Sequence, residues 1–434
     1  MREARLPTTP APSGVALRLT GARLIDGTGS DPVENAEILI DGDRITYAGP
    51  YRPGFDDPSV TAVDLSGRTI MPGFIDSHIH LALSLETPPA KVVGQFESEK
   101  VLGAAATIHK TLMAGITTAR DLGGLDAGYR RAIAEGTILG PRLHLAVSVI
   151  SPTGGHADHC MPNGKETHLA AALAVVDSDD ELRTAVRTLI RAEADVIKVC
   201  TTGGVSSPSD TPDDLGVPEH QVRLIKEETA RRAGQPVAAH AQGAEGILEA
   251  IRGGIDSVEH GYGIDDDGIA LMLEKGTFLV PTLSSALRVP DPADVPDYLY
   301  KKKVVWSTIA RERVGMAIKA GVKIAMGTDA AVCPHGENLK ELGFMVELGM
   351  SPMEAIVAGT RSAAELLRLD AHLGTLEAGK LADLVVTDVD PLTDIALMAD
   401  PSNVSVIVQG GRCVKDLKGW LPGEPSSPAI SAAV

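Results

Sequence analysis

Met71-Pro-Gly-Phe-Ile-Asp-Ser-His78-Ile-His80 is an apolar run that ends in two histidines one residue apart. Side chains alternate faces along a strand, so there His78 and His80 point the same way and can grip one cation. Two residues apart on a helix, they would diverge. Surface His-x-His pairs also occur, so the pair alone leaves a metal site and a surface pair both open.

Downstream the same texture repeats. From residue 67 to 375, short apolar runs alternate with amphipathic helical stretches, the signature of βαβ units and a parallel sheet. Asp195 to Cys200 precedes a helix near Val222 to Ala233, and Pro236 to His240 precedes one near Ala244 to Arg252. The span has room for eight such units with loop insertions, which predicts a (β/α)8 barrel. Residues 1–66 and 376–421 read differently. Ala16 to Leu19, Ala36 to Ile40 and Arg44 to Ala48 alternate between Gly-rich turns, and Asp383 to Thr387, Val404 to Val408 and Arg412 to Val414 do so at the far end. Both chain ends are expected to meet in one small antiparallel β domain, with a flexible Pro/Ser-rich tail at 422–434.

Further ligand types close other strands. His240 ends Val237-Ala-Ala, His260 ends Ile255-Asp-Ser-Val-Glu, and Asp329 ends Lys323-Ile-Ala-Met-Gly-Thr. A lone histidine there is usually structural and a lone aspartate usually caps a turn. In parallel barrels, however, function gathers at the C-terminal strand ends. Lys198 is stranger, because it sits mid-strand in Asp195-Val-Ile-Lys-Val-Cys, on one face with Val196 and Cys200. A buried ammonium is costly, so it is paired, neutralised or chemically modified.

Composition narrows the function classes. Of 434 residues 44% are hydrophobic but only 3% aromatic, which calls for an aliphatic core. A net charge of −18 without Lys/Arg clusters argues against a nucleic-acid surface. Cys160, Cys200, Cys333 and Cys413 form no CxxC pair and read as free thiols of a reducing compartment. The Arg2, Arg5, Pro7, Pro10 start lacks a signal-peptide core, and no run reaches the ~18 apolar residues of a membrane span, so the expected location is cytoplasmic, with no membrane partner.

His78, His80, Lys198, His240, His260 and Asp329, in that order, resemble the metal set of the amidohydrolase superfamily in its binuclear branch. Gly374-Thr-Leu-Glu-Ala-Gly-Lys-Leu-Ala-Asp-Leu-Val-Val is similar to that family's return into its small domain. Thr202-Gly-Gly-Val-Ser-Ser-Pro-Ser-Asp210, Thr153-Gly-Gly-His156, Gly327-Thr-Asp and Pro334-His335-Gly336 resemble the group of Xaa-Pro dipeptidases, lysine/arginine carboxypeptidases and ochratoxin-type amidases. The resemblance implies a distorted (β/α)8 TIM barrel with a small β-sandwich domain. It implies two divalent ions, zinc first, with His78, His80 and Asp329 on one and His240 and His260 on the other. Lys198, carboxylated by carbon dioxide, would bridge them.

The implied chemistry is hydrolysis of an amide or peptide bond in a dipeptide or N-acyl amino acid. A metal-bridged hydroxide attacks and Asp329 shuttles the proton to the leaving amine. Homo-oligomers, octamers among them, are implied by the same likeness. Substrates ending in a carboxylate need a clamp near the metals. His156 is the first candidate, His159 a weaker one, and Tyr262 and His335 are possible contacts, while Arg120 reads as an ion-pair residue. The alternatives are an imidazolonepropionase-like cyclic-amide hydrolase or deaminase, lacking the bridging lysine, and a catalytically silent scaffold. Two signals are set aside. Gly374 to Lys380 spells GxxxxGK, but Leu381 and a strand follow where a phosphate loop needs Ser/Thr and a helix. Lys301-Lys-Lys reads as a solvated helix face. His109, His144, His168, His220 and His372 share no spacing and read as surface or core.

Overall fold

The computed structural model describes residues 16–55, 57–83, 94–158, 174–232 and 234–422. In it, the His-x-His stretch belongs to two sheets. Thr69–Pro72 lies between Arg23–Leu24 and Leu384–Thr387 in a five-stranded sheet that continues through Val404–Gln409 to Arg412–Asp416. Phe74–Ile79 instead pairs in parallel with Ile116–Asp121, which pairs in parallel with Arg142–Leu145. The chain crosses from one sheet to the other at Gly73. A Cβ there would lie 2.3 Å from Thr117 Oγ1, closer than any side chain tolerates, so only glycine lets the two backbones approach.

A second parallel sheet carries six strands in the order Ala174–Val175, Val149–Ser151, Ile197–Cys200, Val237–Ala241, Ser257–His260, Phe278–Val280. Helices Asp179–Arg191, Glu219–Ala230, Ala244–Gly253 and Asp266–Lys275 fall between or after these strands. This is an α/β fold. Ile197–Cys200, Val237–Ala241 and Ser257–His260 are buried at every position, as strands covered on both faces are. Alternation sorts their side chains. Ile197, Val199, Val237, Ala239 and Val258 pack with helix residues Val222, Ile225, Ile247 and Ile251. Val196 and Ala238 join Leu122 and Ala146 in a separate small cluster. Lys198 shares the Val196 face, as the period of two requires.

Lys323–Asp329, expected as a strand, is no regular strand. It is held by isolated parallel bridges, Leu279 with Ile324 and Ile79 with Ala330, and by Asp329 N donating to the His78 carbonyl at 2.7 Å. Regular pairing fails because Gly327 is pressed against His78 and Val280, and Asp329 itself has a left-handed φ of 58°.

The chain-end strands form a four-stranded sheet, Arg44–Pro50, Ala36–Asp41, Ala16–Thr20, Val60–Asp64, besides the five-stranded one. Leu17, Leu19, Ile38 and Ile40 of the first cluster with Ile70, Leu384, Val386 and Val406 of the second. The pairing is mixed and not wholly antiparallel as expected. Val60–Asp64 runs parallel to Ala16–Thr20, and Arg23–Leu24 parallel to Thr69–Ile70. Neither parallel pair is joined by a tight hairpin, so each second strand can return in the same direction.

Cys200, Cys333 and Cys413 are free thiols, while Cys160, His159, His168 and the tail beyond Pro422 lie outside the described residues. Leu384–Thr387 follows Gly374 to Lys380 as a strand, in keeping with the rejection of a phosphate loop. Among the described residues, no helix is long and apolar enough to cross a membrane.

Candidate metal centre

His78 and His80 do turn to the same side, with ring centroids 5.3 Å apart. Together with Asp329 they offer three ligand atoms within 4.8 Å of one another, and both Nε2 atoms stand 3.6 Å from Asp329 Oδ1. From there the rings run on in a chain. His78 lies 4.9 Å from His260, His260 lies 4.6 Å from His240, and His156 stacks on His240 at 4.1 Å. Lys198 is in register with Ala238, two residues before His240. It is 2% exposed, and its Nζ has no hydrogen-bond partner among the described residues. Its charge acts on all four strand-end histidines.

One ring nitrogen of each histidine is already engaged. His78 Nδ1 meets Glu259 Oε2 at 2.9 Å, His80 Nδ1 the Gly123 carbonyl at 3.0 Å, and His240 Nε2 the Gly203 carbonyl at 3.0 Å. These partners only accept, so the bonded nitrogen carries the proton and the other keeps its lone pair. His260 Nδ1 lies 2.8 Å from Thr282 Oγ1, a hydroxyl that Tyr262 Oη also reaches at 3.0 Å. Outer partners of this kind orient histidines for a metal.

Behind the rings lies a second polar layer that strand patterning did not reveal. Glu259, fully buried, takes Arg120 Nη2 at 2.7 Å as well as His78, and Arg120 also donates to the Ser77 carbonyl. Arg120 is thus the expected ion-pair residue. Asp76 accepts from His78 N, from Thr328 N and Oγ1, and from Asn338 Nδ2, which ties the His78 strand to the Asp329 turn. Glu341 accepts from Leu283 N and Ser284 N at 2.6 Å each and holds the turn that begins at Thr282. A charged residue inside an apolar strand was the available sign for Glu259, as it was for Lys198. Glu341 lies on helix Lys340–Glu347 and carried no such sign.

Backbone strain gathers here too. His260, Thr282, Asp329 and Ala331 all have positive φ (74°, 48°, 58° and 128°), a costly state for side chains with a Cβ that is common where function demands an exact geometry.

Burial sets the protonation states. It pulls His80 down to about 4 and His78, His240 and His260 well below the ordinary histidine range. It lowers Lys198, and it raises Asp329 to about 7 against the attraction of Lys303 and Lys198. Neutral imidazoles with free lone pairs, a carboxyl group and an orphaned buried amine form a donor set that fits divalent cations.

The remaining candidates separate. His156 pairs with Asp210 at 3.1 Å, and Tyr262 is buried beside His260 at 5.4 Å between rings. His335 is bonded through Nε2 to the Leu83 carbonyl at 2.9 Å. The lysine run divides as well, correcting the solvated-face reading. Lys301 is exposed and paired with Asp297, Lys302 donates to the carbonyls of Gly204, Ser207 and Asp210, and Lys303 is buried. Helix Asp297–Lys319 packs through Ala310 against Tyr262 and Ala286, so successive lysines meet different surroundings.

The profile of the amidohydrolase family matches residues 69–414. The chain belongs to that family and is a hydrolase acting on amide bonds. It is 33% identical over 416 residues to the ochratoxinase of Aspergillus niger, covering 90% of this chain and 85% of the relative. A solved Xaa-Pro dipeptidase with methionine bound in its active site is similar in structure, with a TM-score of 0.84 and 32% identity over 92% of this chain and all of that one. An imidazolonepropionase of Hyphomonas neptunium is 28% identical, covering 82% of this chain and 89% of the relative.

Proposed function

We propose that the protein is a binuclear amidohydrolase that cleaves the amide bond of small substrates, namely Xaa-Pro or Xaa-Lys/Arg dipeptides and N-acyl amino acids such as ochratoxin-like amides. The observation that carries this reading is Lys198 Nζ, orphaned amid four histidines. Burial lowers the pKa of Lys198 and so favours the uncharged amine, the form that adds to carbon dioxide by making an N–C bond and losing one proton. The carbamate would offer an anionic oxygen donor set where the free amine offers none. His78, His80 and Asp329 would hold one cation and His240 and His260 the other, zinc being the first choice for nitrogen and carboxylate donors. Bound there, the cations would supply a water acidified toward neutrality and an electrophile for the scissile carbonyl.

The chain's own groups do the rest. Asp329 takes the water's proton on a carboxylate oxygen and returns it to the departing amine nitrogen. His156, paired with Asp210, and Tyr262, bonded to Thr282, would meet the substrate's oxygens. His335 is a more distant contact. The architecture is read as a distorted (β/α)8 barrel over residues 67–375, supported by the parallel bridges that link Leu279, the 324–330 segment and Ile79. Residues 1–66 and 376–421 supply the small β-sandwich domain.

Metal analysis and turnover of a panel of dipeptides and N-acyl amino acids, on one sample, test this. Two metal equivalents, bicarbonate-dependent reconstitution and amide cleavage are expected. One equivalent with unmodified Lys198 would favour the imidazolonepropionase-like alternative.

A further inference from the structure

Lys303 is the buried cation that the metal centre leaves unexplained. It sits on helix Asp297–Lys319, 8% exposed, and among the described residues its ammonium has a single bond, to the Ser285 carbonyl at 2.7 Å. No carboxylate forms a salt bridge with it among the described residues, although an ammonium has three protons to donate. Ser285 links it to the centre, because Ser285 N donates to the carbonyl of Thr282 at 3.1 Å, and the Thr282 hydroxyl meets both His260 Nδ1 and Tyr262 Oη. The Lys303 and Asp329 charges also act on each other.

A desolvated ammonium beside a site built for cations is unfavourable unless an anion joins it. Asp329 is that anion only while it is not committed to a metal. Glu341, the other buried carboxyl group of this turn, is taken up by the backbone donors of Leu283 and Ser284. The missing partner is therefore brought by the ligand. We propose that Lys303 is a specificity-determining residue whose ammonium, aimed by the Ser285 carbonyl, pairs with the free carboxylate of the amino acid on the leaving side of the scissile amide. The substrate class is then amides whose released amine is an amino acid with an unblocked α-carboxylate. This rests on the amidohydrolase reading above. It moves the carboxylate clamp from His156 to a lysine whose neighbours in sequence face solvent or a loop.

The test uses the metal-loaded enzyme and matched substrate pairs, each a dipeptide or N-acyl amino acid and the same compound ending in a carboxamide. The wild type is expected to favour the free acid, and Lys303→Met to reduce that ratio of kcat/KM roughly 10- to 100-fold, chiefly through KM, as loss of a charge-assisted bond implies. Lys303→Arg should restore part of it. A strut that merely holds the Ser285 turn would depress both members of a pair alike and leave the ratio unchanged. That result, or equal cleavage of acid and carboxamide by the wild type, overturns the proposal. If no amide of either kind is cleaved, the amidohydrolase reading has failed, and calorimetric binding of L-proline against L-prolinamide still decides the role of Lys303. A carboxylate preference lost in Lys303→Met supports the role, and one that persists or never existed refutes it. Should Lys303→Met not fold, Lys303→Gln takes its place.

Discussion

Two buried lysines show how differently the two halves of this protein treat charge. Lys415, in the chain-end sheet, donates to the carbonyls of Met113 and Pro401 at 2.8 and 2.7 Å and so fastens its strand to its surroundings. Lys198, in the parallel sheet, has no acceptor for its amine among the described residues. Glu37 in the chain-end sheet is likewise matched, by Arg18 and Arg52. In the supporting region the Lys415 ammonium and the Glu37 carboxylate thus find partners inside the chain, as stability demands. At the centre the Lys198 amine is left open, which costs stability and creates affinity for something from outside.

That contrast can be attacked in several places. Lys198→Ala should have the largest effect, with loss of the second metal equivalent by elemental analysis and turnover lowered by orders of magnitude. Two metals and normal turnover would end the bridging role. Asp329→Asn should retain much of the metal yet slow kcat by roughly 10²–10⁴-fold, the usual worth of a positioned acid–base group, and near-normal kcat would reject the shuttle. Glu259→Gln, which weakens the grip on His78 Nδ1, should cost about 10–100-fold in metal affinity or activity, the range typical of outer partners. Metal titration would show it, and wild-type affinity would make Glu259 merely structural.

Lys415→Met should spare activity per folded molecule and change stability only. Burial holds the Lys415 ammonium at about 8, whereas an exposed lysine titrates near ~10.4. Between those values the unfolded chain binds more proton, so this group makes stability rise with pH. Thermal melts across that window should lose this rise in Lys415→Met. Smallest of all, Lys301→Ala removes an exposed ion pair and should stay within about 0.5 kcal/mol of wild type.

Much of this was legible in sequence because a buried parallel strand is a strict medium. Its period of two and its apolar run make any polar residue conspicuous, so His78, His80, Lys198, His240 and His260 stood out in order. Asp329 was found at the end of an apolar run that turned out to be irregular, since its left-handed φ and the crowding at Gly327 are not written in hydrophobic pattern. What stayed hidden was long-range. Glu341 meets Leu283 and Ser284 from a helix far along the chain, and Lys303 looks like its neighbour Lys301 until tertiary packing separates them. The parallel pairs among the chain-end strands were hidden for the same reason, because alternation tells which face a residue takes and nothing of strand direction.

The crossing at Gly73 has a consequence for biogenesis. Thr69–Pro72, which leads into His78 and His80, takes its antiparallel partner from Leu384–Thr387, near the opposite end of the sequence. During synthesis the histidine arm can pair early with Arg23–Leu24 and Ile116–Asp121, but its Leu384–Thr387 partner follows roughly 300 residues later, and such distant pairings form slowly. Nascent chains that have not reached Leu384–Thr387 therefore hold the arm on one side only, so the last strand to pair with it closes the support of His78 and His80.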